Sequence, residues 1–212
     1  MKLTHLRRTG GIAAVALTLS LGLAACSEEE PETTASDTTT TSEAPAEESS
    51  EEMGAEAQTY GPGCSSVPDT GDGSFDGMAT APVASAASAN PLLTTLVTAV
   101  SEAELVEPLN SAEALTVFAP ANPAFEAIPK KDLNALLKDK EALTGVLTHH
   151  VVAEQIAPED LSGEFETLAG DTVVINGEGE EATIGDENAA VLCGNIPTAN
   201  ATVYVIDTVL IP

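Results

Sequence analysis

The sequence predicts an α+β domain, with helices gathered in the first part of the folded region and strands in the second. Three observations carry this. Asn90-Pro91 opens a segment in which Leu92, Leu93, Leu96, Val97 and Val100 recur at helical spacing. The run Thr116-Val117-Phe118 is β-branched and aromatic, and it stops at Pro120. From His150 onward, short apolar runs alternate with Gly, Asn and Asp turns.

The elements follow in chain order. Residues 1–25 read as a targeting segment: Lys2, Arg7 and Arg8 form a positive start, and Ile12 to Ala25 is apolar. That run is shorter than the ~20 residues of a membrane-spanning helix. Leu23-Ala24-Ala25-Cys26 resembles a bacterial lipobox, which implies cleavage before Cys26 and a diacylglycerol on its sulfur. Acyl chains contribute about 0.8 kcal/mol per buried CH₂, so two or three of them make a stable membrane anchor. Residues 26–60 are then a lipidated cysteine and a tether. Residues 27–59 hold eleven acids, no base and no aromatic, a composition that predicts disorder and a reach of roughly 30 Å. Their run TTASDTTTTSEAPAEE fits either an O-glycosylation tract or a plain spacer.

A globular domain is expected over residues 61–212. GDGSFDG (71–77) places Asp72, Ser74, Asp76 and Gly77 as in the start of a calcium loop. Val83 stands where the loop needs its last carboxylate, so an irregular loop is the expectation. Asn90 and Pro91 supply a cap and first turn for the helix that follows. A second short helix is expected near Ala103 to Leu109, then a buried strand ending at Pro120. Asn122-Pro123 repeats the cap-then-proline signal before a turn of helix around Phe125. Lys131 to Lys138 and Glu141 to Thr148 read as two more helices. Strands are expected at His150–Val152, Phe165–Leu168, Thr172–Ile175, Ala182–Ile184, Ala190–Cys193 and Thr202–Val209.

Charge limits the partners. Removal of the first 25 residues leaves four lysines against 34 acids, a net charge of −30. Such a chain repels phosphate backbones, and with no Trp and 3% aromatics it lacks stacking platforms, so nucleic-acid binding is not expected.

Two stretches carry a family resemblance. Thr116 to Phe125 (TVFAPANPAF) resembles the first signature of the fasciclin, or FAS1, domain, and Ala199 to Pro212 (ANATVYVIDTVLIP) resembles its second. Leu147 to Val152 (LTHHVV) is similar to the family's central Tyr-His motif. The resemblance spans residues 80–212 and implies helices packed on a β-sandwich-like set of strands. It also implies structural roles for Thr116, Phe118, Pro120, Asn122, Phe125, His150, Asn200, Tyr204 and Asp207. Gly61 to Cys64 and Val191 to Gly194 narrow it to a mycobacterial branch holding a secreted antigen and a surface lipoprotein, in which the matching cysteines form a disulfide. The residues agree: export to an oxidising exterior favours pairing of Cys64 with Cys193, the alternative being two buried free thiols. In the loop-entropy model, closing about 130 residues contributes roughly 5 kcal/mol. Two positions depart from the family pattern, Ala121 where Thr is common and His149 where Tyr is common.

No catalytic, metal or nucleotide motif is present, and no cofactor is expected. His149 and His150, placed on a strand, point to opposite faces and cannot chelate one metal together. Asn200-Ala201-Thr202 matches a glycosylation sequon that a bacterial lipoprotein leaves unused. Lys130, Lys131, Lys138 and Lys140 form either a contact patch for an acidic partner or wall polymer, or ordinary surface lysines paired with Asp132, Asp139 and Glu141. The resemblance implies a non-enzymatic, membrane-anchored surface module that binds an extracellular protein or glycan, with a possible shed form. The competing readings are a small hydrophobic-ligand or substrate-delivery lipoprotein, and an enzyme acting on the envelope.

Overall fold

The computed structural model describes residues 54–212. The signal segment, the lipobox with Cys26, and the tether up to residue 53 lie outside the described residues. The helical part comes first: α1 (Phe75–Ala79), α2 (Val83–Ala89), α3 (Thr94–Glu102) and α4 (Val106–Ser111). Strand β1 (Leu115–Pro120) follows, then α5 (Asn122–Ala127), α6 (Lys130–Lys138) and α7 (Lys140–His149). The rest is β2 (Val151–Val152), β3 (Gly163–Glu166), β4 (Thr172–Asn176), β5 (Thr183–Ile184), β6 (Ala189–Pro197) and β7 (Ala201–Ile206).

The strands form one sheet in the order β2-β1-β7-β6-β5-β4-β3, with β1 and β7 parallel and the other pairs antiparallel. Side chains alternate across it. Val117 and Ala119 of β1 and Val203 and Val205 of β7 face a core shared with Leu93, Leu96, Val100, Leu143 and Leu147 of the helices. Phe118, Tyr204 and Ile206 face the other way and meet Val173, Ile175 and Ile184 of β4 and β5. The two halves of the sheet therefore enclose a second core, which is the sandwich-like arrangement the family resemblance implies. Strand β6 makes the bend possible. Its pairing with β7 shifts register at two places, and Asn195 takes a left-handed φ of 57° beside the second.

The register sets Phe118 opposite Tyr204 with ring centroids 5.9 Å apart. Both side chains are fully buried, and burying one such ring contributes about 1.5–3 kcal/mol.

Several expectations shift. GDGSFDG is not a bare loop: Ser74 caps α1, its Oγ accepting from Gly77 N at 3.2 Å. Helix α2 had no sequence signal, because VASAASA lacks the large apolar residues that mark a period. The short helix expected near Ala103 starts at Val106, after Glu104 turns the chain with a φ of 59°. The two histidines are not on a strand, since α7 runs to His149 and β2 begins at Val151. The six strands of the second part fall within a few residues of their expected positions.

Candidate interaction surface

The signature residues hold the fold together from inside. Thr116 Oγ1 donates to Glu154 O at 2.7 Å and accepts from Ile156 N at 2.9 Å, tying the loop after β2 onto β1. Tyr204 O–H donates to Ile156 O at 2.9 Å, so the same loop is fastened twice. Burial, then the nearby Tyr60 and Glu159, hold the Tyr204 phenol above its ordinary pKa. Pro120 ends β1, and Phe125 of α5 is buried in the helical core. Asp207 Oδ1 accepts from Ala190 N at 2.9 Å, closing the β6–β7 pairing at its far end.

Asn122 corrects the cap reading. It opens α5 without capping it, and instead serves the start of α3. Its Oδ1 accepts from Thr95 N at 3.0 Å and Thr94 Oγ1 at 3.1 Å, while Nδ2 donates to Pro91 O at 2.9 Å. Asn200 works the same way across the chain. Its Oδ1 accepts from Val83 N, and its Nδ2 donates to Leu109 O and Ala112 O, all within 2.8–2.9 Å. Its amide is engaged on both atoms in the folded domain.

His150 is fully buried. Its Nδ1 donates to Val146 O at 2.7 Å and its Nε2 accepts from Leu210 N at 2.9 Å, which fixes one neutral tautomer. Burial is the main cause that pushes its pKa down to about 4. His149 Nδ1 lies 2.8 Å from Asp171 Oδ1, which Thr167 Oγ1 also contacts. Burial raises the Asp171 pKa, but the hydrogen bonds from Thr167 and His149 outweigh it and hold the carboxyl below its ordinary value. The depression beside this group, about 500 Å³, is lined by Val152, Glu154, Glu166, Thr167 and Leu168. Among the described residues His149 hydrogen-bonds to no Ser, Thr or Cys side chain. Among the described residues no group of three His, Cys, Asp or Glu side chains is placed to hold a metal ion.

The segment before α1 straps onto β6. Residues Ala55–Gln58 form a turn of 3-10 helix, and Ala55 N donates to Asp76 Oδ1 at 3.1 Å. Tyr60 bridges Gly194, Gly63 N donates to Leu192 O at 2.7 Å, and Asn195 Nδ2 donates to Gln58 O at 2.9 Å. Gly194 has no room for a side chain, because a Cβ there would sit 2.5 Å from the Tyr60 ring. Burial, then Glu180, pushes the Tyr60 phenol up to about 12. The Cys64–Cys193 disulfide locks the strap, with Cα atoms 4.9 Å apart and a sequence separation of 129.

The lysines lie on exposed α6 and the start of α7. Lys140 pairs with Glu104 at 2.8 Å, not with Asp132, Asp139 or Glu141. Asp139 instead caps α7 through Ala142 N at 3.1 Å. Lys130, Lys131 and Lys138 make no ion pair among the described residues. Between α5 and α6 lies a hollow of about 400 Å³ lined by Thr95, Phe125, Glu126, Ile128, Lys130 and Leu133. Sequence reasoning found the lysines but not this hollow, whose walls come from three separate helices.

The fasciclin-domain family model matches residues 91–212, more than half of the chain. This chain belongs to the fasciclin-domain family. Its signatures are the β1–α5 corner and the β7 end described above. The chain is 45% identical over 166 residues to the immunogenic protein MPB70 of Mycobacterium bovis, covering 74% of this chain and 84% of the relative. It is 45% identical over 148 residues to the cell surface glycolipoprotein MPB83 of Mycobacterium bovis, covering 68% and 66% of the two chains. Among solved structures, it is similar to the FAS1 domain pair of the insect cell adhesion molecule fasciclin I. That match has a TM-score of 0.48 and 21% identity, and covers 56% of this chain and 45% of the other.

Proposed function

We propose that this chain is a lipid-anchored surface module whose fasciclin domain binds an extracellular protein or glycan and catalyses no reaction. The observation that carries the reading is where the signature side chains go. Thr116, Asn122, His150, Asn200, Tyr204 and Asp207 all spend their polar atoms on the fold itself. That leaves a domain whose outer surface is presented and, among the described residues, no reactive constellation. The lipobox ending in Cys26 and the 45% identity to a cell surface glycolipoprotein support display on the outer face of the membrane.

The contact surface in this reading is α6 with its flanking hollow. Its three lysines, Lys130, Lys131 and Lys138, stand beside Lys140 of α7 in a domain that is otherwise acidic, and those three make no ion pair among the described residues. A partner for it is acidic, an anionic protein segment or glycan. Purified chain immobilised on beads and exposed to extracellular-matrix and envelope fractions is the test. Retention of a defined partner is expected, weakened at least several-fold when Lys130, Lys131, Lys138 and Lys140 are all changed to Glu. Equal retention by the quadruple variant removes the α6 contact, and no retained partner removes the binding role.

A further inference from the structure

Helix α2 reads VASAASA, and its small side chains leave space on both flanks. On one side, beneath α3 and α4, lies a cavity of about 40 Å³; on the other lies one of about 30 Å³. Val83, Ala87, Leu96 and Val117 stand between them as shared wall. Val83, Val97, Val106, Leu109, Leu147 and His150 give the larger cavity its character. Both ring nitrogens of His150 are already engaged, so it turns only carbon toward the space. Ser88 stands exposed at the rim with its hydroxyl donated to Ala84 O at 2.7 Å. An occupant finds neither a charge nor a free hydrogen-bond partner, so a hydrocarbon suits this space and water does not.

The space is held open. An Ala-rich helix normally settles onto its neighbours, because an empty apolar gap forfeits dispersion contacts on one side. Here α2 is pinned at its first turn from two directions: Val83 N donates to Asn200 Oδ1 at 2.9 Å, and Ala84 N donates to Asn110 Oδ1 at 3.0 Å. At its other end Asn90 is buried and fixes the start of the next helix through Leu92 N. Those anchors come from the β6–β7 turn, from α4 and from the chain after α2. The helix therefore keeps its height above the sheet whatever its own side chains fill.

We propose that this cavity is a binding site for the methyl end of a linear acyl chain, its polar head remaining outside at the Ser88, Val97 and Val106 rim. By this measure of volume one water needs about 10–15 Å³, so 40 Å³ takes about three chain carbons. A narrow chain end matches that size. The inference goes beyond the adhesive role and does not rest on it.

The test is a methyl-resolved NMR titration of the full chain with decanoate. Dihexanoylphosphatidylcholine below its micelle concentration forms a second arm, separating free acids from lipid tails. Saturable shifts are expected at Val83, Val97, Val106 and Leu109, and absent at Val174 on the far sheet. Ala87→Leu fills the wall between the cavities and is expected to weaken binding at least tenfold while melting no lower than the parent. Val106→Phe closes the rim and is expected to do the same if Ala87→Leu does not fold. Saturation by either probe, lost in a folded variant, supports the site and names its source. No saturable shift with either probe, or shifts unchanged in a folded variant, overturns it.

Discussion

His150 is held as a neutral imidazole by Val146 O on one nitrogen and Leu210 N on the other. Its pKa is pushed from 6.5 to about 4, so the unfolded chain binds the proton more readily over that interval. Stability from this group is therefore complete above about pH 6.5 and declines as pH falls toward 4, by a total on the order of 3 kcal/mol. A histidine NMR titration checks this: His150 should keep its Nδ1-protonated neutral form at pH 5.5, and a midpoint near 6.5 would contradict the burial argument. The sequence pointed to His150 as structural through family likeness, but its two partners were not legible. Leu210 lies 60 residues away, and only the closing of the sheet brings it there. Asn122 was misread for a related reason. A cap followed by proline is a local signal, whereas its amide serves a helix that starts 28 residues earlier.

Helix α3 begins where two asparagines meet, Asn90 from its own chain and Asn122 from α5. Asn122→Ala removes the acceptor for Thr95 N and is expected to lower unfolding free energy by about 1–2 kcal/mol in a urea titration. A change within error would mean that solvent replaces the cap without cost. The strap is the second element whose stability can be isolated. Replacing Cys64 and Cys193 by Ser is expected to cost about 2–5 kcal/mol and to open residues 54–64 to limited proteolysis. An unchanged cleavage pattern would show that the Tyr60 and Gly63 backbone bonds hold the strap alone. At this scale the β-rich second part was legible because its short strands are separated by Gly and Asn turns. Helix α2 was not, since a run of Ala and Ser has no periodicity to read, and only its neighbours' asparagines define its ends.

The whole molecule carries 34 acids against seven Lys and Arg, and among the described residues a single lysine–carboxylate ion pair forms, Lys140 with Glu104. Its cohesion comes instead from two apolar cores on either side of β1 and β7, together with long-range side-chain to backbone bonds. The α+β class and the order of its halves were legible from composition and periodicity. The sheet order was not, because the parallel pairing of β1 with β7 joins segments separated by most of the domain. Surface display is the claim on which the functional reading stands. Its most direct measurement compares retention of bacteria on immobilised matrix and wall polymer for cells with the chain, cells without it, and cells carrying Cys26→Ala. The account predicts that retention falls in Cys26→Ala cells, where the chain accumulates unprocessed instead of as the mature lipidated form. Cys26→Ala protein that stays in the membrane with no accumulation of the unprocessed form, or retention that survives deletion, would contradict it.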